Sequence, residues 1–283
     1  MEIKTIELFD KPLFNLVTIE EIVHMPTRMP DNEAAFVFVL QGECISYSEV
    51  EEIHLGANQA VLAKCGNSTF RTITVNGSSV YRALTIKFHK EVLEELYKNS
   101  TSPFMKNVEH PLLVNSTIVE TNQLIKQYVN GLVLHFDNQD LLSEDLLLLK
   151  LKELIVLLLQ TENAPKVLGI MNNLFEKKTF KFKEIIKSHI CSSLSIEELA
   201  QLTSHSLSSF KKEFNRIYND TPNNYLIGQR IELAAKSLLS TNTSISSIAY
   251  DCEFKTLAHM SRVFKTKYGI APSEYRQNFS DKR

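Results

Sequence analysis

A group of polar side chains in the last third of the chain is spaced to lie on the outer face of one helix: Ser208, Lys211, Lys212 and Asn215. Phe210 and Phe214 fall between them with the helical period, so they take the inner face. Lysine can donate hydrogen bonds to guanine O6 and N7, asparagine can pair with adenine, and serine can reach phosphate oxygens. The chemistry available at this face is therefore recognition of a nucleic acid duplex.

Residues for catalysis or metal binding do not gather in this way. A histidine-based metal site of the kind that some β-barrel enzymes carry needs two or three histidines and a carboxylate, usually with an H-x-H pair among them. No such pair occurs, and His24, His54 and His89 stand alone in the sequence. No Ser/His/Asp or Cys/His arrangement and no Gly-rich phosphate loop has its required flanking elements. We therefore expect no enzyme activity, no metal and no cofactor.

The element that positions the polar face is present twice in the sequence. SIEELA at 195–200 recurs as SISSIA at 244–249, and five larger side chains recur fifty residues later. The pairs are Phe210 and Met260, Phe214 and Phe264, Tyr218 and Tyr268, Pro222 and Pro272, and Tyr225 and Tyr275. A period of this size indicates one supersecondary unit in two copies.

Each copy is predicted to be two helices joined by a short turn, which is the helix-turn-helix motif. Between the copies, Thr221 and Pro222 suit the cap and the first turn of a further helix. Its apolar face extends over about five turns. A continuous helix would hold the two units at a fixed separation. At roughly 34 Å, both second helices would enter successive major grooves on one side of a duplex.

This spaced pattern resembles the DNA-binding domain of AraC/XylS-type bacterial transcription regulators. The matching residues are Ala200, Phe214, Pro222, Tyr225, Arg230, Ala234, Leu238, Leu239, Ile248, Ala249, Phe254, Ser261, Arg262, Val263, Phe264, Lys265, Tyr268, Gly269, Pro272, Ser273, Glu274, Tyr275 and Arg276. Family members usually carry glycine in both turns, where this chain has Ser204 and Glu253. A left-handed backbone at these residues would cost about 1 kcal/mol each. Glu253 would also place negative charge near the DNA.

The resemblance implies which positions of the second unit face the groove. They are Leu257, Ala258, Ser261, Arg262 and Lys265. Leu257 and Ala258 could contact thymine methyl groups, and Thr256 could cap the helix and contact a phosphate. Arg262 is the strongest candidate for a base or phosphate contact. The alternative for Arg262 is an ion pair with a neighbouring acid such as Asp251.

The first part of the chain has the pattern of a small β domain. Residues from about Leu13 to Phe88 are predicted to form short β-strands. The clearest β-rich runs, separated by Gly and Asn turns, occupy 34–43, 44–55, 59–66, 68–75 and 79–88, and this spacing predicts a sandwich or barrel. The segment resembles the cupin-like regulatory domain of the same regulators, in the ExsA-like variant without a metal site. We predict an α+β protein with a cupin-like domain at 1–90, a helical dimerisation or linker region at 91–178 and an all-α double helix-turn-helix domain at 179–283.

A barrel of this kind can hold a small molecule among the inward positions of its strands. The candidates for its lining are Phe36, Phe38, Tyr47, Phe70, Arg71, Tyr81 and Arg82. The alternative is that the aromatic side chains fill the core and the arginines face water. The regulatory input is therefore either a small ligand in the barrel or a protein partner that masks or releases the domain.

Residues 118–136 and 142–159 are predicted to be helices. Charges at 144, 145, 150, 152 and 153 exclude a membrane span from the second, since a span needs about twenty largely uncharged residues. In the family such helices often form the dimer contact, and the residues placed for it are Leu146, Leu149, Lys150, Glu153, Leu157 and Gln160. Ordinary intramolecular core is the alternative.

Composition and charge predict a cytoplasmic protein without a signal peptide. The chain has 283 residues, of which 43% are hydrophobic and 23% charged. Cys44, Cys65, Cys191 and Cys252 show no close pairing in the sequence, so unpaired thiols are expected. From Ser195 onward twelve Lys and Arg stand against nine Asp and Glu, a net charge of +3, whereas the preceding residues carry −5.

We predict a transcription regulator, an activator in sign, that binds double-stranded DNA as a homodimer and works with RNA polymerase, without membrane association. One alternative is a cupin-type metal enzyme fused to a DNA-binding module, against which the missing H-x-H pair argues. Another is a nucleoid-type binder with little sequence preference, which would be a more basic chain.

Overall fold

A computed structural model of the chain describes residues 1–28, 33–64, 67–75, 77–99, 101–104, 115–175 and 181–280. The chain divides into two compact units, Met1–Lys181 and Phe182–Arg283. Among the described residues, the first unit contains strands and helices and the second only helices, which confirms the predicted α+β class with an all-α C-terminal part. Cys65 and the predicted boundary at residue 178 lie outside the described residues.

The described strands of the first unit form two antiparallel sheets. Their bounds are β1 Glu2–Leu8, β2 Lys11–Ile19, β3 His24–Arg28, β4 Glu33–Gln41, β5 Glu43–Tyr47, β6 Glu52–Leu55, β7 Ala60–Lys64, β8 Asn67–Ile73, β9 Tyr81–His89 and β10 Ser116–Val119. The larger sheet has the strand order β1-β2-β9-β4-β7-β10, and the smaller sheet has the order β3-β8-β5-β6.

Strands β1 and β10 lie where the sequence predicted none. A bulge between Ile6 and Glu7 shifts the register of β1 against β2, so the alternation of apolar side chains in β1 is interrupted. β10 begins two residues before the stretch predicted to be a helix at 118–136, and its pairing with β7 runs from Ser116 opposite Ala63 to Val119 opposite Ala60. The helix prediction was therefore wrong at 118–119, because pairing with a distant strand determines the conformation there.

Four helices pack on one face of the larger sheet. They are α1 Lys90–Leu96, α2 Gln123–Leu134, α3 Glu144–Leu159 and α4 Ala164–Asn172. Asn122 caps α2 and Ser143 caps α3, each by accepting a hydrogen bond from a backbone N–H three residues on. Phe36 and Leu84 of the sheet share one buried cluster with Leu154 of α3. Each such side chain stabilises the fold by about 1.5–3 kcal/mol.

The other face of the larger sheet lies against the smaller sheet. Val39 and Ala83 from the larger sheet pack with Cys44 and Leu55 from the smaller one. The central strand β4 is therefore buried on both faces, which explains its nearly continuous apolar sequence.

The second unit consists of seven helices within residues 182–280. They are α5 Phe182–Ser188, α6 Ile196–Leu202, α7 Leu207–Tyr218, α8 Pro222–Ser240, α9 Ile245–Asp251, α10 Leu257–Tyr268 and α11 Pro272–Ser280. α6 with α7 and α9 with α10 form the two predicted helix-turn-helix units. Between them α8 is continuous over 19 residues, a length of about 28 Å.

Candidate nucleic-acid interface and internal cavity

The turns of the two helix-turn-helix units have the same backbone geometry. In the first turn the N–H of His205 donates to the carbonyl of Ala200 over 2.8 Å, and in the second the N–H of Phe254 donates to the carbonyl of Ala249 over 2.9 Å. The sequence repeat is therefore a structural repeat at the level of single hydrogen bonds.

Ser204 and Glu253 occupy the left-handed position of these turns. Their φ angles are 60° and 58°, which confirms the conformation that the missing glycines implied. Side chains other than Gly, Asn and Asp are disfavoured there because Cβ approaches the backbone. Both turns are therefore held in a strained conformation by the packing around them.

Aromatic side chains fix the second helix of each unit. In the first unit Phe214 lies 4.6 Å from Tyr218 and 5.5 Å from Tyr225, between ring centroids. In the second unit the ring of Phe264 lies 4.6 Å from that of Tyr268 and 5.2 Å from that of Tyr275. Both phenylalanines are fully buried. α7 and α10 therefore have the same inner face and present equivalent outer faces.

The predicted DNA-reading side chains lie on these outer faces. The exposed members are Ser208, Lys211, Lys212 and Asn215 on α7, Thr256 before α10, and Leu257, Ala258, Arg262 and Lys265 on α10. Ser261 is half-buried. Thr256 caps α10, because its hydroxyl accepts the N–H of His259 over 3.1 Å. The phosphate contact of Thr256 stays a prediction.

Arg262 extends from α10 without an internal partner. Across the described ranges its guanidinium makes no hydrogen bond or ion pair, so the alternative pairing with Asp251 is not formed. Arg216, by contrast, binds Glu213 through two hydrogen bonds of 2.8 and 2.6 Å. Arg262 can therefore bind a ligand without breaking an ion pair, whereas Arg216 cannot.

Two further cations of the second unit, Lys267 and Arg276, are fixed by contacts with other elements. Lys267 donates to Glu232 over 2.7 Å and to the carbonyl of Gly228 over 3.3 Å, and its hydrogen bond lowers the pKa of Glu232. Arg276 donates to the carbonyls of Leu238 and Thr243 over 3.2 and 2.8 Å. These two cations anchor α10 and α11 on neighbouring elements.

Lys255 was missed by the sequence reasoning. It is exposed and directly precedes the capping Thr256, where the N-terminus of α10 favours an anion. The available signal was its position one residue before a predicted cap.

A cavity of about 390 Å³ lies between the two sheets of the first unit. Its apolar lining comes from alternate positions of the larger sheet, including Val17, Ala35, Val37, Val61 and Ala83, and from Ile53 and Phe70 opposite. Its polar lining includes Asn15, Thr85, Lys64 and Lys87. Lys87 also donates to Glu33 over 3.3 Å. The cavity has the size and the mixed lining of a small-molecule site.

Only Phe70 and Tyr81 of the predicted ligand residues line this cavity. Phe36 and Phe38 point to the opposite face, into the core beneath the helices. Tyr47 is fully buried and lies under the guanidinium of Arg71, 5.9 Å from the ring centroid. Neither Tyr47 nor Arg71 lines the cavity, and neither does Arg82.

The predicted dimer residues lie on the outer side of α3. Leu149 and Glu153 are exposed, while Leu146, Lys150 and Leu157 are half-buried. Gln160 is an exposed residue that directly follows the helix. Lys150, Glu153 and Leu157 line a shallow groove with Leu124 and Gly131 of α2. Dimerisation through this side stays a prediction.

The described residues form neither a cluster of metal ligands nor a helix that could span a membrane. In the described part of the chain no group of three or more His, Cys, Asp or Glu side chains is placed to hold a metal ion. Within the same ranges, every helix is too short or too polar to cross a membrane.

Comparisons with known proteins match both units. Residues 34–170 match the family model of the ExsA N-terminal regulatory domain, and residues 199–278 match that of a helix-turn-helix domain. The HTH-type transcriptional regulator ExsA of Pseudomonas aeruginosa is 22% identical over 129 residues, covering 46% of each chain. The virulence regulon transcriptional activator VirF of Yersinia enterocolitica is 22% identical over 185 residues, covering 65% of this chain and 64% of VirF.

The chain thus matches less than two thirds of the length of either relative. Among solved structures, fatty-acid-bound ToxT of Vibrio cholerae covers 93% of this chain and 94% of its own, at 14% identity and a TM-score of 0.40.

The double helix-turn-helix and the family match over residues 199–278 define the second unit as a helix-turn-helix domain of the kind that binds DNA. The chain belongs to the AraC/XylS family and has an ExsA-like N-terminal domain.

Proposed function

We propose that this protein is a sequence-specific transcription activator whose two helix-turn-helix units read one operator together. The observation that carries the proposal is the equivalence of the outer faces of α7 and α10. Each face is exposed and carries hydrogen-bond donors that suit base edges, namely Lys211, Lys212 and Asn215 on one helix and Arg262 and Lys265 on the other.

The continuity of α8 supports binding by both units at once. α8 contributes Leu226 and Ile231 to the interior of the second unit, and both are buried. A rigid helix of this kind fixes the spacing of the two reading helices, so the operator should contain two sequence blocks about ten base pairs apart.

Control of DNA binding belongs to the first unit in this proposal. The cavity between the sheets is the proposed site for a small effector with a largely apolar surface, and a protein partner of the first unit is the second candidate. We further propose a homodimer through α3, action in the cytoplasm and a contact with RNA polymerase. Membership of the AraC/XylS family supports these roles.

Selection of binding sites from random duplexes tests the proposal. The wild-type protein should recover two sequence blocks, and Arg262→Ala should lose the preference at one of them with an affinity loss of about tenfold, because a good base contact contributes about 1–3 kcal/mol. Lys236→Ala is the matched control: it removes the same charge from the exposed side of α8, and the site preference should stay intact.

A pool without any preferred sequence, despite measurable binding, would contradict the proposal. Binding at two salt concentrations then identifies the remaining interaction. Phosphate contacts alone weaken with salt equally for every sequence.

A further inference from the structure

Two of the four cysteines meet in the second unit, although they are 61 positions apart in the sequence. Cys191 precedes α6 and packs against the buried cluster that contains Cys252, at the end of α9. The two thiols lie close enough to interact, and each alters the pKa of the other. The two cysteines are therefore neighbours in the fold, although they are far apart in the sequence.

The guanidinium of Arg230 holds the backbone on both sides of this thiol pair. It donates to the carbonyls of Ile190 and Ser192, which flank Cys191, over 2.6 and 2.8 Å. It also donates to the carbonyl of Glu253, the residue after Cys252, over 3.3 Å. One side chain of α8 thus fixes both cysteine-bearing segments against each other.

The two thiols differ in exposure and in acidity. Cys191 is half-buried and Cys252 is buried. A hydrogen bond from the Cys252 thiol, together with the charge of Arg230, lowers the pKa of Cys191, although burial and Glu253 oppose this. The same hydrogen bond, burial and Asp251 raise the pKa of Cys252. Cys191 is therefore the nucleophile of the pair, and Cys252 is placed to resolve its oxidised form.

Cys191 is partly exposed to solvent, so a small oxidant can approach it from there. Cys252 is buried, which leaves Cys191 as the residue that meets the oxidant first.

We propose that Cys191 and Cys252 are a redox modification site at which a hydroperoxide forms a disulfide that alters the second helix-turn-helix unit. The Cys191 thiolate attacks the O–O bond, so an S–O bond forms, the alkoxide leaves and takes up a proton. The Cys252 thiol then attacks the sulfenic sulfur, the S–S bond forms, and water leaves with the remaining proton. Two thiols are oxidised by two electrons and one hydroperoxide is reduced to an alcohol.

The consequence for DNA recognition follows from the place of Cys252. Cys252 directly precedes Glu253 in the left-handed turn, and α10 begins five residues after Cys252. A disulfide, with its sulfurs about 2.05 Å apart, draws the turn towards residues 190–192 and shifts the start of α10. We expect the specific DNA affinity of the oxidised protein to fall about tenfold, equivalent to the loss of one base contact.

Oxidation of the full-length wild type with cumene hydroperoxide tests the modification independently of DNA. After proteolysis without reduction, mass spectrometry should find a peptide that joins Cys191 to Cys252, and dithiothreitol should remove it. Cys252→Ser should stop at a Cys191 sulfenic acid that dimedone traps. Cys191→Ser should give no dimedone adduct at Cys252. Cys44→Ser is the control and should not change the cross-link.

Cumene hydroperoxide treatment that consumes thiols in the wild type without producing the 191–252 peptide would overturn the proposal. Fluorescence anisotropy with a selected operator, before oxidation, after it and after reduction, tests the coupling to α10. The regulatory part rests on the proposed function, because the binding-site selection supplies the operator. Equal affinity of the cross-linked and reduced forms for that operator would overturn the regulatory part, whereas the 191–252 peptide tests the modification without DNA.

Discussion

Ser204 and Glu253 adopt the same left-handed backbone conformation in the two turns, with φ angles of 60° and 58°. Glycine adopts this conformation without a steric cost. We expect Ser204→Gly and Glu253→Gly each to stabilise the second unit by about 1 kcal/mol. This gain should raise its melting temperature by about 4–8 °C, the scale for a unit of this size, in calorimetry of the full chain.

Asn219 provides the control for the glycine substitutions. It ends α7 in the same left-handed region, with φ 52°, but asparagine tolerates that region better than serine or glutamate. Asn219→Gly should therefore change the melting temperature less than either turn substitution. Equal gains at all three positions would mean that the strain is not specific to the two turns.

The sequence predicts which side chains face outward where the pattern is local. The outer faces of α7 and α10 follow from the 3.6-residue period, and their polar side chains are exposed, apart from half-buried Ser261. Other contacts join residues more than 30 positions apart, namely the packing of Cys191 near Cys252 and the ion pair between Lys267 and Glu232. No period in the sequence encodes such contacts.

At the scale of elements, the two faces of β4 show why the cavity lining was hard to predict. An apolar run buried on both faces has no polar positions to mark which side faces a cavity. Ala34 packs fully buried in the core beneath the helices, while its neighbour Ala35 lines the cavity. Phe36 and Phe38 share the side of Ala34, so they face the helices and not the cavity, and the sequence pattern does not distinguish the two sides.

Substitutions at Ala34 and Ala35 test whether the cavity admits an apolar ligand. Ala35→Leu places its added atoms in the cavity, so we expect little change in the free energy of unfolding and reduced binding of 1-anilinonaphthalene-8-sulfonate, an apolar fluorescent probe. Ala34→Leu overpacks a filled core and should cost about 1–3 kcal/mol. Urea unfolding and probe titration measure both effects. Equal destabilisation by the two substitutions would contradict a cavity on the Ala35 side.

α3 carries exposed apolar side chains that a second subunit could cover. Leu149 is 63% exposed and Val156 is 46% exposed on this helix. If α3 forms the dimer contact, Leu149→Glu should weaken the dimer about tenfold or more, because a charge replaces an apolar group at the interface. Sedimentation equilibrium over a range of concentrations measures the change.

Leu141 is the matched control for α3. It is 74% exposed and precedes α3, so Leu141→Glu introduces the same charge next to the proposed contact. A dimer that survives Leu149→Glu, or that both substitutions weaken equally, would remove the dimer role of the α3 face.

At the scale of the whole molecule, charge is divided unevenly between the two units. Residues 182–283 hold fourteen Lys and Arg against ten Asp and Glu, a net charge of +4, whereas residues 1–181 carry −6. Non-specific DNA affinity depends on the net positive charge that reaches the phosphates. The acidic first unit should therefore oppose non-specific binding by the chain as a whole.

Separate expression of residues 182–283 tests this opposition, because the second unit has a buried core of its own. We expect it to bind a scrambled duplex more tightly than the full chain at low salt, since the repulsion by the first unit is absent. The difference should vanish near about 0.3 M salt, where exposed charges are screened beyond a few ångströms. For the selected operator, the full chain should bind more tightly than residues 182–283 if the first unit dimerises. The dimer links two DNA-binding units, and this linkage raises their effective concentration at the operator. Fluorescence anisotropy across a salt series measures the affinities of both proteins for both duplexes. Equal affinities for the scrambled duplex at every salt concentration would show that the charge of the first unit does not act on DNA binding.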